Sequence, residues 1–186
     1  MKYFFTLLSC FFISTFTFAQ SEPSEANRIV SRIDSTRSPE LVLIQEFSIK
    51  APVTAVWEAY TTKTGYQNWA VPLAEINLKV GGTIKSNYNP KGSIGDSTTI
   101  VTHIINYVPQ QLITLQAEIT DNFPEFMKKE ADDFYNVITF RSTSEGTFVQ
   151  SFGIGYKNTP KYLQLMNYFI PANEQTLMKL ISYLEH

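Results

Sequence analysis

One cysteine and two histidines in 186 residues exclude several chemistries at once. A thiolate or imidazole metal cluster needs more ligands than these, and a lone cysteine cannot close a disulfide within the chain. Charge of one sign is missing as well. Lys and Arg number 15 against 17 Asp and Glu, a net charge of -2, so a nucleic-acid binder working through charge is excluded. No internal repeat or low-complexity tract occurs. There is no G-x-S-x-G nucleophile elbow and no G-x-x-x-x-G-K-[ST] phosphate loop, and Gly153-x-Gly155 lacks the third glycine of a dinucleotide fingerprint. What remains is a composition of 44% hydrophobic and 17% charged residues, which supplies a packed core and fits one globular domain.

The N-terminus carries the one long apolar run. Lys2 gives a positive start, Tyr3 to Phe18 is almost wholly apolar, and Thr17-Phe18-Ala19 places small residues where a signal peptidase reads. The run is short for a membrane span and is interrupted by Ser9, Ser14 and Thr15. Residues 1–19 are therefore expected to be a signal peptide cleaved after Ala19. The mature protein would be exported, periplasmic or secreted, with no stable membrane span. Cleavage would remove Cys10 and Lys2 and leave 14 basic against 17 acidic residues. A thiol-free exported protein must rest on its core alone.

Residues 20–39 are polar, mixed in charge and weak in periodicity, as a leader before a domain spanning 40–186. Leu41 to Ile49 reads as a strand. Ala51-Pro52 opens a helix whose Val53, Val56, Trp57 and Tyr60 form one stripe, with Thr64-Gly65 as its stop and a second helical turn over Tyr66 to Trp69. The period then changes to two. Strands are predicted over Ala74 to Val80, Thr83 to Tyr88, Ser97 to Val108, Leu112 to Thr120, Tyr135 to Ser142 and Thr147 to Gly155, making seven in all. Lys161 to Glu185 is helical, with Leu163, Met166, Ile170, Leu177, Leu180, Ile181 and Leu184 at helix spacing. Pro171 either kinks it or starts a new helix.

In this order the chain resembles the START-like (SRPBCC) superfamily, in the branch akin to the activator of heat-shock-protein-90 ATPase. The residues that carry the likeness are Ala51-Pro52-Val53 with Val56-Trp57, Thr61-Thr62-Lys63 to Trp69, Leu78-Lys79-Val80-Gly81-Gly82, Tyr107-Val108-Pro109, Phe123-Pro124-Glu125, Gly146-Thr147, and Tyr168-Phe169 ahead of Leu177 and Leu180. The resemblance implies an α+β helix-grip fold. A curved seven-stranded antiparallel sheet, with two short helices after the first strand, wraps a long C-terminal helix and leaves a cavity for lipids, sterols, polyketides or other apolar molecules. Three departures stand out. Asn173 occupies a helix position where relatives often have Trp, Pro171 lies two residues earlier in what is usually an unbroken helix, and Gly155-Tyr156 replaces their Gly-Trp.

Candidate chemistry is sparse. His103 lies on a strand with no orienting carboxylate nearby in sequence, and Glu118 and Glu174 are the other candidates for an acid or base. Glu130, Asp132 and Asp133 lack the spacing and glycine of a calcium loop and read as solvated, so neither metal nor cofactor is expected. On the C-terminal helix, Asn167 and Glu174 share the apolar stripe, with Asn173 nearby. They either meet backbone and water or line a cavity and orient a ligand. A void of about 400 Å³ would cost on the order of 10 kcal/mol at about 24 cal/mol per Å³, a whole domain's stability. Such a space must be collapsed, hydrated or occupied, and Asn136, Asn167 and Asn173 suit the last two.

The expected function is that of an exported, monomeric protein binding an apolar or amphipathic small molecule without catalysis. Its walls are expected from Tyr66, Trp69, Tyr88, Leu115, Ile138, Phe140, Asn167, Ile170, Asn173 and Leu177, chosen by face parity and family position. The rivals are a cyclase- or hydrolase-like enzyme, which needs a carboxylate or His103 inside the cavity, and a protein-partner module, which needs a broad exposed apolar patch.

Overall fold

A computed structural model describes residues 28–36, 39–120 and 123–186. The expected signal peptide, residues 1–19, lies outside the described residues. The chain forms an eight-stranded, wholly antiparallel sheet in the order β1-β2-β8-β7-β6-β5-β4-β3. The strands are β1 (Ile29–Asp34), β2 (Glu40–Ile49), β3 (Leu73–Ile76), β4 (Thr83–Asn87), β5 (Ile100–Val108), β6 (Leu112–Ala117), β7 (Tyr135–Thr143) and β8 (Gly146–Lys157). Helices α1 (Val53–Thr61) and α2 (Lys63–Trp69) follow β2, α3 (Glu125–Lys128) precedes β7, and α4 (Pro160–Glu185) closes the chain.

The sheet has eight strands where seven were expected, because β1 forms from residues read as leader. Its inward row, Ile29, Ser31 and Ile33, faces Phe47, Gln45 and Leu43 of β2, while Val30, Arg32 and Asp34 point away. A serine in the inward row and charge in the outward row hide the alternation that marks a strand.

Other boundaries move for local reasons. The strand expected to reach Val80 ends at Ile76, and residues 77–82 form a turn closed by Asn77 N–H donating to the Thr83 carbonyl at 2.9 Å. Val80 is accordingly exposed. Strand β5 begins at Ile100 rather than Ser97, because Asp96 gathers the backbone N–H groups of Ser93 and Thr98 into a separate loop. Gly65 does not stop α1. It sits inside α2, which Thr62 caps by accepting from the Gly65 N–H at 3.0 Å, and a Cβ there would collide with the Glu58 carbonyl. Glycine is required by the close approach of the two helices.

Register shifts at Leu41/Leu43 and Ile104/Asn106 bend the sheet, as bulges do, and α4 lies across the concave face. The helix is continuous through Pro171. The carbonyl that proline leaves without an N–H partner belongs to Asn167, which is exposed, so water can serve it. Two apolar clusters result. The larger joins α1, α2 and the second half of α4 to the sheet through Val56, Trp57, Ile104, Ile113, Phe140, Val149, Leu180 and Ile181. The smaller joins the first half of α4 to Leu41, Leu43, Met127 and Phe134 through Tyr162 and Met166.

Candidate functional site

Between the clusters the sheet and α4 do not meet fully. A cavity of about 240 Å³ remains, lined by side chains from three helices and five strands or their ends. Inward parity brings Gln45 from β2, Leu115 from β6, Asn136 and Ile138 from β7, and Ser151 from β8 to its floor. Tyr60 enters from α1, Tyr66 and Trp69 from α2, and Tyr88 from the residue after β4. Helix α4 adds Asn173, Thr176 and Leu177. Wider hollows of about 650, 460 and 450 Å³ lie at strand ends, without such a wall of aromatic side chains.

Seven residues expected at the site meet here: Tyr66, Trp69, Tyr88, Leu115, Ile138, Asn173 and Leu177. Three do not. Phe140 continues the inward row of β7, but Trp57 and Tyr60 cover it edge-on at centroid distances of 5.6 and 5.3 Å, so it supports the wall from behind. Ile170 packs against the smaller cluster, one helical turn too early. Asn167 is exposed, because the stripe of α4 rotates away from the sheet there.

Gln45, Tyr60, Ser151 and Thr176 escaped the sequence reading. Gln45 had a visible signal, a polar residue in the inward row Leu41, Leu43, Phe47, Ile49 of β2. It is only 3% exposed, yet both ends of its amide are bonded. Nε2 donates to Ser31 Oγ at 3.0 Å, and Oε1 accepts from Asn173 Nδ2 at 3.0 Å. The Ser151 hydroxyl donates to Asn136 Oδ1 at 2.9 Å. Tyr60 gave no such signal, because a tyrosine on an apolar helical stripe reads as core.

The aromatic wall is held by its neighbours. The Trp69 indole N–H donates to the Ala59 carbonyl at 2.9 Å, and its ring meets Tyr60 and Tyr66 edge-on at 5.1 and 5.4 Å. Burial pushes the Tyr60 phenol far above its ordinary value, with a smaller push from Tyr66. Burial and then the neighbouring Tyr88 raise Tyr66 to about 12. Both phenols therefore stay protonated at neutral pH.

The acid–base candidates stand elsewhere. His103 lies next to the fully buried Ile104 on β5 and so points to the opposite, convex face, where its Nε2 meets Glu118 Oε1 at 2.8 Å. This pair is 39% and 50% exposed. Glu174 is half-buried on α4 but contributes nothing to the cavity wall. Glu130 accepts from Lys157 Nζ at 2.7 Å and from the Tyr162 hydroxyl at 2.5 Å, bonds that lower its carboxyl pKa. The acidic stretch around it thus ties β8 to α4. Among the described residues no group of three or more His, Cys, Asp or Glu is placed to hold a metal ion.

A bent antiparallel sheet gripped across one face by a long C-terminal helix, with a cavity walled by side chains between them, defines a START-like helix-grip protein. The family model for the Activator of Hsp90 ATPase homolog 1-like protein matches residues 50–185, and the chain belongs to that family. No curated protein matches it. Among solved structures it is similar to protein MLL2253 from Mesorhizobium loti, with a TM-score of 0.61 and 15% identity over 77% of this chain and 96% of that one. It is also similar to CalU16 from Micromonospora echinospora, with a TM-score of 0.60 and 15% identity over 84% and 85%. The Aha1 dimer from Colwellia psychrerythraea gives a TM-score of 0.57 and 19% identity over 77% and 96%. At these identities the likeness speaks for the fold.

Proposed function

We propose that the protein is exported and binds a small apolar or amphipathic molecule between the sheet and α4, without acting on it chemically. The observation that carries this reading is the 240 Å³ cavity itself, in which Trp69, Leu115, Ile138 and Leu177 provide apolar surface beside the neutral polar groups of Gln45, Asn136, Ser151, Asn173, Thr176 and three tyrosines. Placed polar groups orient a ligand, while burial of its apolar surface against these four side chains supplies affinity, a combination that suits an amphipathic guest. An engineered apolar cavity of about 150 Å³ accepts benzene, so this one suits a ring-sized guest better than a sterol.

An enzyme of the cyclase or hydrolase kind is disfavoured, because its wall would need a carboxylate or imidazole and the described residues of this wall supply neither. The partner-module reading needs a broad apolar patch, whereas the large exposed hydrophobic side chains are spread along the chain, Val30 on β1, Val80 in the turn before β4, Tyr88 just after β4, Ile100 and Val108 at opposite ends of β5, and Tyr168 and Tyr183 on the two halves of α4. Export is supported by the N-terminal pattern from Lys2 to Ala19.

Native mass spectrometry of protein recovered from its own host, with extraction of the bound compound, tests both parts. A mature chain beginning at Gln20 and carrying a small neutral or amphipathic mass is expected. A chain retaining Met1 would refute export. Occupancy that survives filling of the cavity by Leu115→Trp would refute the site.

A further inference from the structure

The hydrogen-bond inventory of the cavity says more about its guest than its volume does. Among the described residues, the wall holds no lysine, arginine, histidine or carboxylate. A charged ligand group entering it would lose water and meet no counter-ion, a loss that neutral dipoles offset poorly. The amide and hydroxyl groups on the floor and on α4 are largely committed to one another, Gln45 to Ser31 and Asn173, and Asn136 to Ser151.

The Tyr60 and Tyr66 hydroxyls are different. Neither has a hydrogen-bond partner among the described residues. Tyr60 is only 5% exposed, yet among the described residues no buried side-chain nitrogen or oxygen is sealed without a partner, so its hydroxyl keeps some accessible surface, on a residue that lines the cavity. Two phenols without a protein partner thus share the wall of one space with Leu115, Ile138 and Leu177.

Resting on the binding reading above, we infer that the cavity selects an uncharged molecule of about two fused rings. It presents a carbonyl or hydroxyl oxygen to Tyr60 and Tyr66 and its ring edge to Leu115 and Ile138. Fatty acids and other carboxylates are rejected, because the donors that would meet them are neutral and no cation stands behind.

An isosteric probe pair tests this: 2-naphthamide, which is neutral, and 2-naphthoate, which is anionic at pH 7. Calorimetry on the purified protein gives the affinities, and the chemical shift of the Trp69 indole N–H reports whether the probe sits in the cavity. The amide is expected to shift that signal and to bind at least about tenfold tighter than the carboxylate. Tyr60→Phe and Tyr66→Phe are each expected to weaken the amide by about three- to tenfold, the worth of one hydrogen bond. Thermal unfolding checks that the variants fold, and Tyr66→Phe carries the test if the more buried Tyr60→Phe does not. Equal or tighter binding of 2-naphthoate with Trp69 shifted overturns the uncharged class and leaves the binding site standing. Amide affinity unchanged in both variants overturns the role of the phenols. Failure of both probes to move Trp69 overturns the class and the binding reading together.

Discussion

Residues 160–170 of α4 cover the smaller cluster, through Tyr162 and Met166 against Leu41, Leu43, Met127 and Phe134, while residues 172–185 cover the larger one through Leu177, Leu180 and Ile181. The first half turns Asn167 and Tyr168 to solvent, and the second ends in an ion pair that ties it to β1. One amphipathic stripe thus serves two cores. The cavity lies where the helix passes from one to the other, just after Pro171, at Asn173, Thr176 and Leu177. A helix covering a single core would have closed this space with an apolar side chain at residue 173. Here Asn173 turns to Gln45 instead.

If the two halves differ in how firmly they are packed, matched truncations should separate them most. Leu180 and Met166 are both fully buried. Leu180→Ala is expected to cost about 4 kcal/mol, and Met166→Ala about 2 kcal/mol, because the short helix and loop around Met127 can collapse onto the space and the sheet around Leu180 cannot. Urea unfolding with unchanged slope measures both. Equal costs would show that the smaller cluster is as rigid as the larger.

Proline at the joint gives the next largest effect, with opposite sign. Pro171 is exposed and interior to a continuous helix, so Pro171→Ala restores an N–H for the Asn167 carbonyl and removes a steric clash. A gain of about 1–3 kcal/mol is expected by thermal or urea unfolding. A loss would mean that the two halves need the proline to reach their separate cores.

Much of this arrangement is written in local patterns. Alternation on β2, β6, β7 and β8 and the stripe of α4 depend on neighbours two to four residues away, so the strands, the helix and seven wall residues can be read from them. What failed depends on distance in the chain. Whether Phe140 faces a void or a ring is decided by Trp57 and Tyr60, and β1 is decided by its pairing with β2. Asn167 and Ile170 fit the stripe as well as Asn173 does, and only the change of core along α4 separates them. Gly65 reads as a stop in sequence because the Glu58 carbonyl that requires it is visible only once two helices are packed.

At the C-terminal end of the helix, Arg28 donates to both oxygens of Glu185 at 2.7 Å, and the Lys50 backbone N–H donates to Oε1 at 2.9 Å. These bonds, the Arg28 one foremost, hold the Glu185 carboxyl below its ordinary value of 4.5. A carboxyl depressed in the folded state adds stability above its unfolded value and loses it as pH falls through the folded one. Glu185→Gln is expected to cost about 1–2 kcal/mol at pH 7, with the deficit shrinking below about pH 4.5. A deficit constant down to pH 2 would place the effect in packing rather than in the ion pair.

The smallest effect is expected on the outward face of the first half. Tyr168 is 72% exposed, and among the described residues its one ring contact is with Phe169, its neighbour in sequence, at 5.8 Å. Truncation there gives up little buried area and leaves no buried polar group unpaired. Tyr168→Ala should therefore change unfolding free energy by less than about 0.5 kcal/mol. It should also leave 2-naphthamide affinity unchanged, because the ring lies outside the cavity wall. Unfolding and calorimetry on the same variant separate the two readouts. A loss of affinity without a loss of stability would extend the proposed site past Pro171 onto the first half of α4.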